Sequence, residues 1–388
     1  MLRLPVYLDY NATSPCDPRV VDEMLPYFVQ NFGNASSRHH LYGWQAEEAV
    51  EQARERVALL IGCEPREIVF TSGATEATNL ALKGVYQSYH SKGNHIICTG
   101  IEHKAVLDTC TQLQKAGAEV SFASVRPDGL VDPEEIRSLI KPHTVLIACM
   151  YANNELGTIM PVKEIGTLAK AQGVIFFSDA TQAVGKIRVN VLGDRIDLLA
   201  LSGHKIYGPK GVGALYVRRR NPRVRLSPQI EGGGQERGIR SGTLNVPGIV
   251  GLGKAADLCY RELGAVTEKI GRLRDRLEGS LLSLGGVKIN GNKDLRLPHV
   301  SNLSFEGVES EAMMMSFNKD IAVSSGSACT SATIEPSYVL KALGLSDEEA
   351  YSSLRFSLGR FTTEEEIDFV TNRVSQTVRE LRALARVG

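Results

Sequence analysis

Two charged residues stand just past apolar runs. Lys205 follows residues 196–201 through Ser202-Gly203-His204, and Asp179 closes the run 174–178. Taken singly, each reads as a surface charge at the start of a loop. If both runs are strands of one parallel sheet, the amine and the carboxylate arrive at the same rim. That pair is what pyridoxal 5'-phosphate chemistry needs: a lysine to form a Schiff base and an acid to keep the pyridine nitrogen protonated.

Other segments supply what such a rim lacks. Ser72-Gly73-Ala74-Thr75-Glu76 lies between an apolar run and a helical pattern. A small-residue turn feeding a helix start offers backbone N–H groups and a favourable dipole to one phosphate ester, with the Thr75 hydroxyl as a further donor. It matches neither G-x-G-x-x-G nor G-x-x-x-x-G-K-[ST], which argues against dinucleotides and triphosphates. His103 follows the run 95–99 and can stack on a planar ring, or simply start a helix. Asn154, in Asn153-Asn154-Glu155-Leu156-Gly157, and Gln182, three residues past the acid, complete the rim.

Residues 232–243 hold five glycines among Arg237, Arg240 and Thr243. A flexible linker is the plain reading, and the arginines argue for an anion or subunit contact. Cys329 sits in Ser324-Ser325-Gly326-Ser327-Ala328-Cys329-Thr330-Ser331-Ala332-Thr333. Its neighbours are too small and polar to pack it into a core, so it reads as an exposed, mobile thiol suited to a nucleophile that visits two places. Arg355 stands in an apolar strand pattern and needs a carboxylate partner, either structural or the α-carboxylate of an amino acid.

The elements that must position these groups alternate. Apolar runs at 68–71, 95–99, 119–123, 145–150, 174–178, 196–202 and 212–217 read as strands. Helical patterns at 76–87, 104–115, 133–140 and 161–172 lie among them. That order implies an α/β fold with a mostly parallel sheet, and ligands in such sheets sit at the carboxyl ends of the strands. A long helical pattern over 247–284 leads to a second alternating region ending in a helix from 363.

Composition excludes several classes. The chain has 388 residues, with 44 basic and 44 acidic side chains and a formal net charge of zero. It therefore offers no electrostatic footprint for nucleic acid or an anionic membrane. No apolar run approaches the ~20 residues of a membrane span, and the first residues do not read as a signal peptide. Seven scattered cysteines without a C-x-x-C pair argue against a disulfide framework or a zinc site, so the expected metal set is none and the expected compartment cytoplasmic.

Together, Tyr7-Leu8-Asp9-Tyr10-Asn11-Ala12-Thr13, Thr71-Ser72-Gly73-Ala74-Thr75-Glu76, Asp179-Ala180-Thr181-Gln182, Ser202-Gly203-His204-Lys205 and Ser325-Gly326-Ser327-Ala328-Cys329 resemble the cysteine desulfurases of the iron–sulfur cluster assembly type. Where that family often shows Asn-Pro-x-Ser, this chain has Asn34-Ala35-Ser36-Ser37. The resemblance implies a pyridoxal phosphate enzyme of fold type I. A large domain of residues 15–260 would carry a seven-stranded, mostly parallel sheet. A smaller α+β domain, residues 1–14 and 261–388, would carry a mobile loop at 324–335. It implies Lys205 as the Schiff-base lysine, Asp179 as the pyridinium partner and His103 as the stacking residue. Asn154 and Gln182 would line ring and substrate. Ala74, Thr75, Ser202 and His204 would hold the phosphate, with Thr243 from the other subunit of a homodimer. Arg355 would bind the carboxylate of L-cysteine. Cys329 would take up sulfur as a persulfide, deliver it to a scaffold or sulfur-relay protein, and serve as a transient iron–sulfur ligand. The alternatives are another enzyme of the same scaffold, a selenocysteine lyase or an aminotransferase, and a non-catalytic sulfur relay.

Overall fold

The computed structural model describes residues 2–325 and 335–385. Seven strands form the central sheet in the order Ile68–Thr71, Gly213–Val217, Leu198–Ser202, Ile175–Asp179, Thr144–Ala148, His95–Thr99, Glu119–Ala123. Gly213–Val217 runs antiparallel to both neighbours, and the other adjoining pairs are parallel. Only residues 203–212 separate it from Leu198–Ser202, too few for the crossover that parallel pairing requires. Most sheet residues are buried, as a sheet covered on both faces demands.

The expected strand at 196–202 begins only at Leu198. Asp197 is engaged sideways instead: its carboxylate accepts the Phe176 N–H at 3.0 Å and pairs with Arg218 at 2.8 Å. The helix Leu41–Ile61 had no counterpart in the sequence reading. Its buried stripe runs largely through Ala46, Ala49, Val50, Ala53, Val57 and Ala58, too alanine-rich to stand out as apolar periodicity. Small side chains there serve close packing. A Cβ at Gly253, in the 37-residue helix Val246–Leu282, would fall 2.6 Å from the Ala53 Cα.

That long helix joins two bodies of apolar packing. Its first half packs Val246, Ile249, Leu252 and Cys259 into the large cluster against the sheet. Its second half packs Ile270, Leu273, Leu277 and Leu281 into a separate cluster with Leu354, Phe356, Val370 and Val374. This second cluster lies against a three-stranded antiparallel sheet ordered Ser353–Ser357, Val300–Phe305, Val287–Ile289. Val6 and Leu8 belong to it as well, so the amino-terminal segment returns to the body formed by the carboxyl-terminal third.

Candidate active site

Asp179 ends its strand, and Lys205 ends the one-turn helix Gly203–Lys205 that follows the neighbouring parallel strand. The two carboxyl ends therefore open on one cavity of about 480 Å³, with both residues in its wall. The size is ordinary for a small-molecule site. Burial, with Arg355 next, pulls the Lys205 amine down to about 8. Its Nζ donates to the carbonyls of Asn11 and, at 2.8 Å, Ala12. Asp179 uses Oδ1 to accept the Thr181 N–H at 2.9 Å, and its Oδ2 makes no hydrogen bond among the described residues.

Ala74, Thr75, Ser202 and His204 also line the cavity. Helix Ala74–Tyr89 starts there, and its first N–H groups have no partner within the helix. The turn is tight: a Cβ at Gly213 would sit 2.7 Å from the Gly73 Cα. Glu76 accepts the Ser72 N–H at 2.8 Å and pairs with Arg240 at 2.7 Å. Burial, then Lys205 and Lys210, push the His204 imidazole down to about 4. One of its ring nitrogens meets Thr13 Oγ1 at 3.0 Å.

His103 lines the cavity and also caps helix Lys104–Lys115, accepting the Ala105 N–H at 3.1 Å. Both readings of this histidine are therefore compatible. Asn154 and Gln182 are in the wall too. Gln182 Nε2 donates to the Asn11 carbonyl at 3.0 Å, while Asn154 Oδ1 and Thr181 Oγ1 are buried without hydrogen-bond partners among the described residues.

Arg355 does not line the cavity. It lies behind Asn154, donating Nη1 to the Asn154 carbonyl at 3.0 Å and Nη2 to Asp9 at 2.7 Å, with Nε buried and without a partner among the described residues. Thr243 is exposed and away from this wall. Arg237 and Arg240, expected to meet an anion or a subunit, have partners in their own chain: the Ile68 carbonyl at 2.7 Å and Glu76. The anchor of the glycine-rich segment is Glu236, whose carboxylate is buried against Arg54 at 2.8 Å and accepts the Phe70 N–H. Cys329 lies outside the described residues, as does most of 324–335.

Sequence reasoning gave no role to Asn11, Glu102 or Glu155. Asn11 is the hub beneath the cavity: its carbonyl takes Lys205 and Gln182, and its amide donates to the Asn154 carbonyl at 2.8 Å. Its Oδ1 meets His299 Nε2 at 2.8 Å. Glu155, buried beside Asn154, accepts from Ser337 Oγ at 2.5 Å; burial pushes it up to about 7. The one available signal was Asn11 within its polar, small-residue neighbourhood.

The residues present fit a pyridine ring carrying a phosphate ester and an aldehyde. A buried amine and a carboxylate with a spare oxygen share one wall. Among the described residues Asn154 Oδ1 and Thr181 Oγ1 lack partners, and a helix start with the Thr75 and Ser202 hydroxyls lines the same cavity.

Comparison with known proteins adds the following. The model of the aminotransferase class-V family matches residues 6–370. A protein of Anaeromyxobacter sp. (strain Fw109-5), "Cysteine desulfurase IscS", is 54% identical over 385 residues, 99% of this chain and 95% of that protein. One of the same name from Rickettsia rickettsii (strain Iowa) is 51% identical over 99% of this chain and 93% of its own. Among solved structures, a "NifS-like protein" superposes with a TM-score of 0.91 at 36% identity, covering 97% of this chain and all of that one. "SspA in complex with cysteine" gives 0.82 at 36% identity, with 92% and 100% covered.

Proposed function

The chain belongs to the aminotransferase class-V family, and on that footing we propose that it is a pyridoxal 5'-phosphate-dependent cysteine desulfurase. It converts L-cysteine to L-alanine and hands the sulfur to acceptors. The observation that supports this most directly is the convergence of Lys205 and Asp179, from neighbouring parallel strands, on one cavity that a helix start also lines.

When bound, the cofactor supplies an electron sink for the pair released at Cα. The protein's residues do the rest. With the cofactor bound, Lys205 would be its covalent anchor, and its Nζ would serve as the base at Cα and as the acid toward Cβ. An amine brought down to about 8 is partly neutral near neutral pH, as a base requires. Asp179 holds the proton on the ring nitrogen through the oxygen it has spare. His103 covers one ring face. Thr75, Ser202, His204 and the helix start would hold the phosphate, with Thr243 supplied by a second subunit. Arg355, held behind Asn154 by that residue's carbonyl and by Asp9, binds the substrate carboxylate by exchanging the Asp9 carboxylate for that of the substrate.

Cys329 is the sulfur acceptor. The Cβ–S bond of the substrate breaks and an S–S bond forms on Cys329 Sγ. The alanine methyl gains a proton, so cysteine and a thiol give alanine and a persulfide with no outside oxidant. Delivery to an iron–sulfur scaffold or a relay protein follows by attack of an acceptor thiol. A homodimer is supported by large exposed apolar side chains gathered in one stretch, Leu25, Phe28, Val29, Phe32, Tyr42 and Trp44. The division into 15–260 and 1–14 with 261–388 is supported by the separate apolar cluster of the carboxyl-terminal third. No helix among the described residues is long and apolar enough to cross a membrane.

The test is direct. Purified protein loaded with cofactor and given L-cysteine should release one alanine per persulfide formed, counted by amino-acid analysis and by a +32 Da shift on the Cys329 peptide. Alanine without persulfide, or a keto acid in place of alanine, would refute the assignment.

A further inference from the structure

We propose that Glu102 is a positioning residue for this site, fastening the turn that carries His103 to the turn that carries Asn154. Its side chain is completely buried. Oε1 accepts from Thr99 Oγ1 and from the Met150 N–H, both at 2.6 Å. Its own backbone carbonyl accepts from the Tyr338 hydroxyl at 2.6 Å. One residue thus ties together the end of strand His95–Thr99, the segment just past Thr144–Ala148, and the start of helix Tyr338–Ala342. Asn153 makes a parallel link, donating Nδ2 to the Ile101 carbonyl at 3.0 Å. Met150, His103 and Asn154 all face the cavity.

The clasp works as a neutral acid. Oε2 is buried and has no hydrogen-bond partner among the described residues. The titratable groups acting on Glu102 or sensing it are Asp179, the Cys98 and Cys149 thiols and the Tyr338 phenol, and none of them is a cation. Burial first, with Asp179 adding, pushes its carboxyl up to about 8. At neutral pH the proton sits on Oε2, because Oε1 already accepts twice. The negative charge in that part of the site is then carried by Asp179. Glutamine has the shape of the neutral acid, with a carbonyl oxygen for Oε1 and an amide in place of the hydroxyl.

The inference rests on the cofactor reading for His103 and Asn154, and its test separates the two. In the loaded enzyme, Glu102→Gln keeps kcat within about threefold and leaves the visible absorption and circular dichroism of the bound cofactor in place, since the donors to Oε1 stay satisfied. Glu102→Ala lowers kcat by about 100-fold and alters the visible circular dichroism, as misplacement of supporting walls does. Should Glu102→Ala not fold, Thr99→Val removes one donor and shifts the same signals in the same direction.

A second arm uses cofactor-free protein. An acid whose folded pKa is raised above its unfolded value loses stabilising effect as pH climbs between the two, here from ~4.3 toward about 8. The melting temperature of Glu102→Gln relative to the parent therefore rises from pH 5 to pH 8. A Glu102→Gln enzyme as damaged as Glu102→Ala, a harmless Glu102→Ala or a flat melting difference would each overturn the proposal. Because the second arm needs no cofactor, a rising melting difference alongside a failed Lys205 test would fault the cofactor reading and spare the clasp.

Discussion

Arg355 Nη2 donates to Asp9 Oδ1 at 2.7 Å, so the arginine assigned to a substrate carboxylate already holds one. Its other terminal nitrogen holds the carbonyl of Asn154, a residue of the cavity wall. Arg355→Ala should raise KM for L-cysteine about 10- to 150-fold, the worth of ~1.5–3 kcal/mol for hydrogen bonds to a charged group. Arg355→Lys should recover little, because lysine lacks the planar fork. Steady-state kinetics decide it; an unchanged KM in Arg355→Ala would remove Arg355 from substrate binding.

The same guanidinium adds to the lowering of the Lys205 amine. Burial is the larger cause of the depressed lysine value, and Arg355 is the next. Loss of the Cα proton needs neutral Nζ, so its rate should rise as pH passes about 8 and level off above. Removing the neighbouring positive charge in Arg355→Gln should move that midpoint upward. Deuterium loss from Cα-labelled L-cysteine, followed across pH at saturating substrate, reads both curves. A midpoint that stays put or falls in the variant contradicts this account.

Lys205→Ala should bind the cofactor without covalent capture. Borohydride treatment should then leave the protein mass unchanged, while the parent gains the mass of the reduced adduct. An adduct still present in the variant would place the anchor elsewhere.

Cys329→Ser separates the cofactor chemistry from sulfur acceptance. The variant should still exchange the Cα proton of L-cysteine and still show the parent visible spectrum. Persulfide and acceptor-linked alanine should both vanish, because an alcohol cannot take sulfur from the substrate. Labelled cysteine and peptide mass mapping provide the readout, and persulfide on any other thiol would shift the assignment.

Arg54 and Glu236 form a buried pair that fixes the glycine-rich segment under strand Ile68–Thr71. Arg54→Met strands a buried carboxylate and should cost about 3–5 kcal/mol. The double variant Arg54→Met with Glu236→Gln should recover much of that loss. Urea unfolding of cofactor-free protein measures both; equal stability of parent and Arg54→Met would show that the pair does not hold the segment.

What could be seen in the chain depended on how locally each residue acts. Lys205, Asp179 and Thr75 follow apolar runs by a few residues, so strand–turn–helix logic placed them at one rim, and the structure puts all three in the cavity wall. Asn11 left no such trace, because its partners Gln182 and His299 lie 171 and 288 positions away. Arg237 and Arg240 drew attention as charges among glycines, yet the residue that pins that segment is Glu236, whose role appears only once Arg54 lies opposite. Burial of Glu102 and Glu155 is likewise a product of tertiary packing.

The helix Val246–Leu282 spans 37 residues, ~55 Å at 1.5 Å per residue. Its opening turns pack against the sheet that bears the lysine, and its closing turns against the body that bears the arginine. The helix is thus a continuous link between the body that bears the amine and the body that bears the guanidinium. One residue inserted near Gly264 would turn everything downstream by ~100° and advance it ~1.5 Å. Such a lesion could mute turnover while every side chain of the pocket stayed chemically intact.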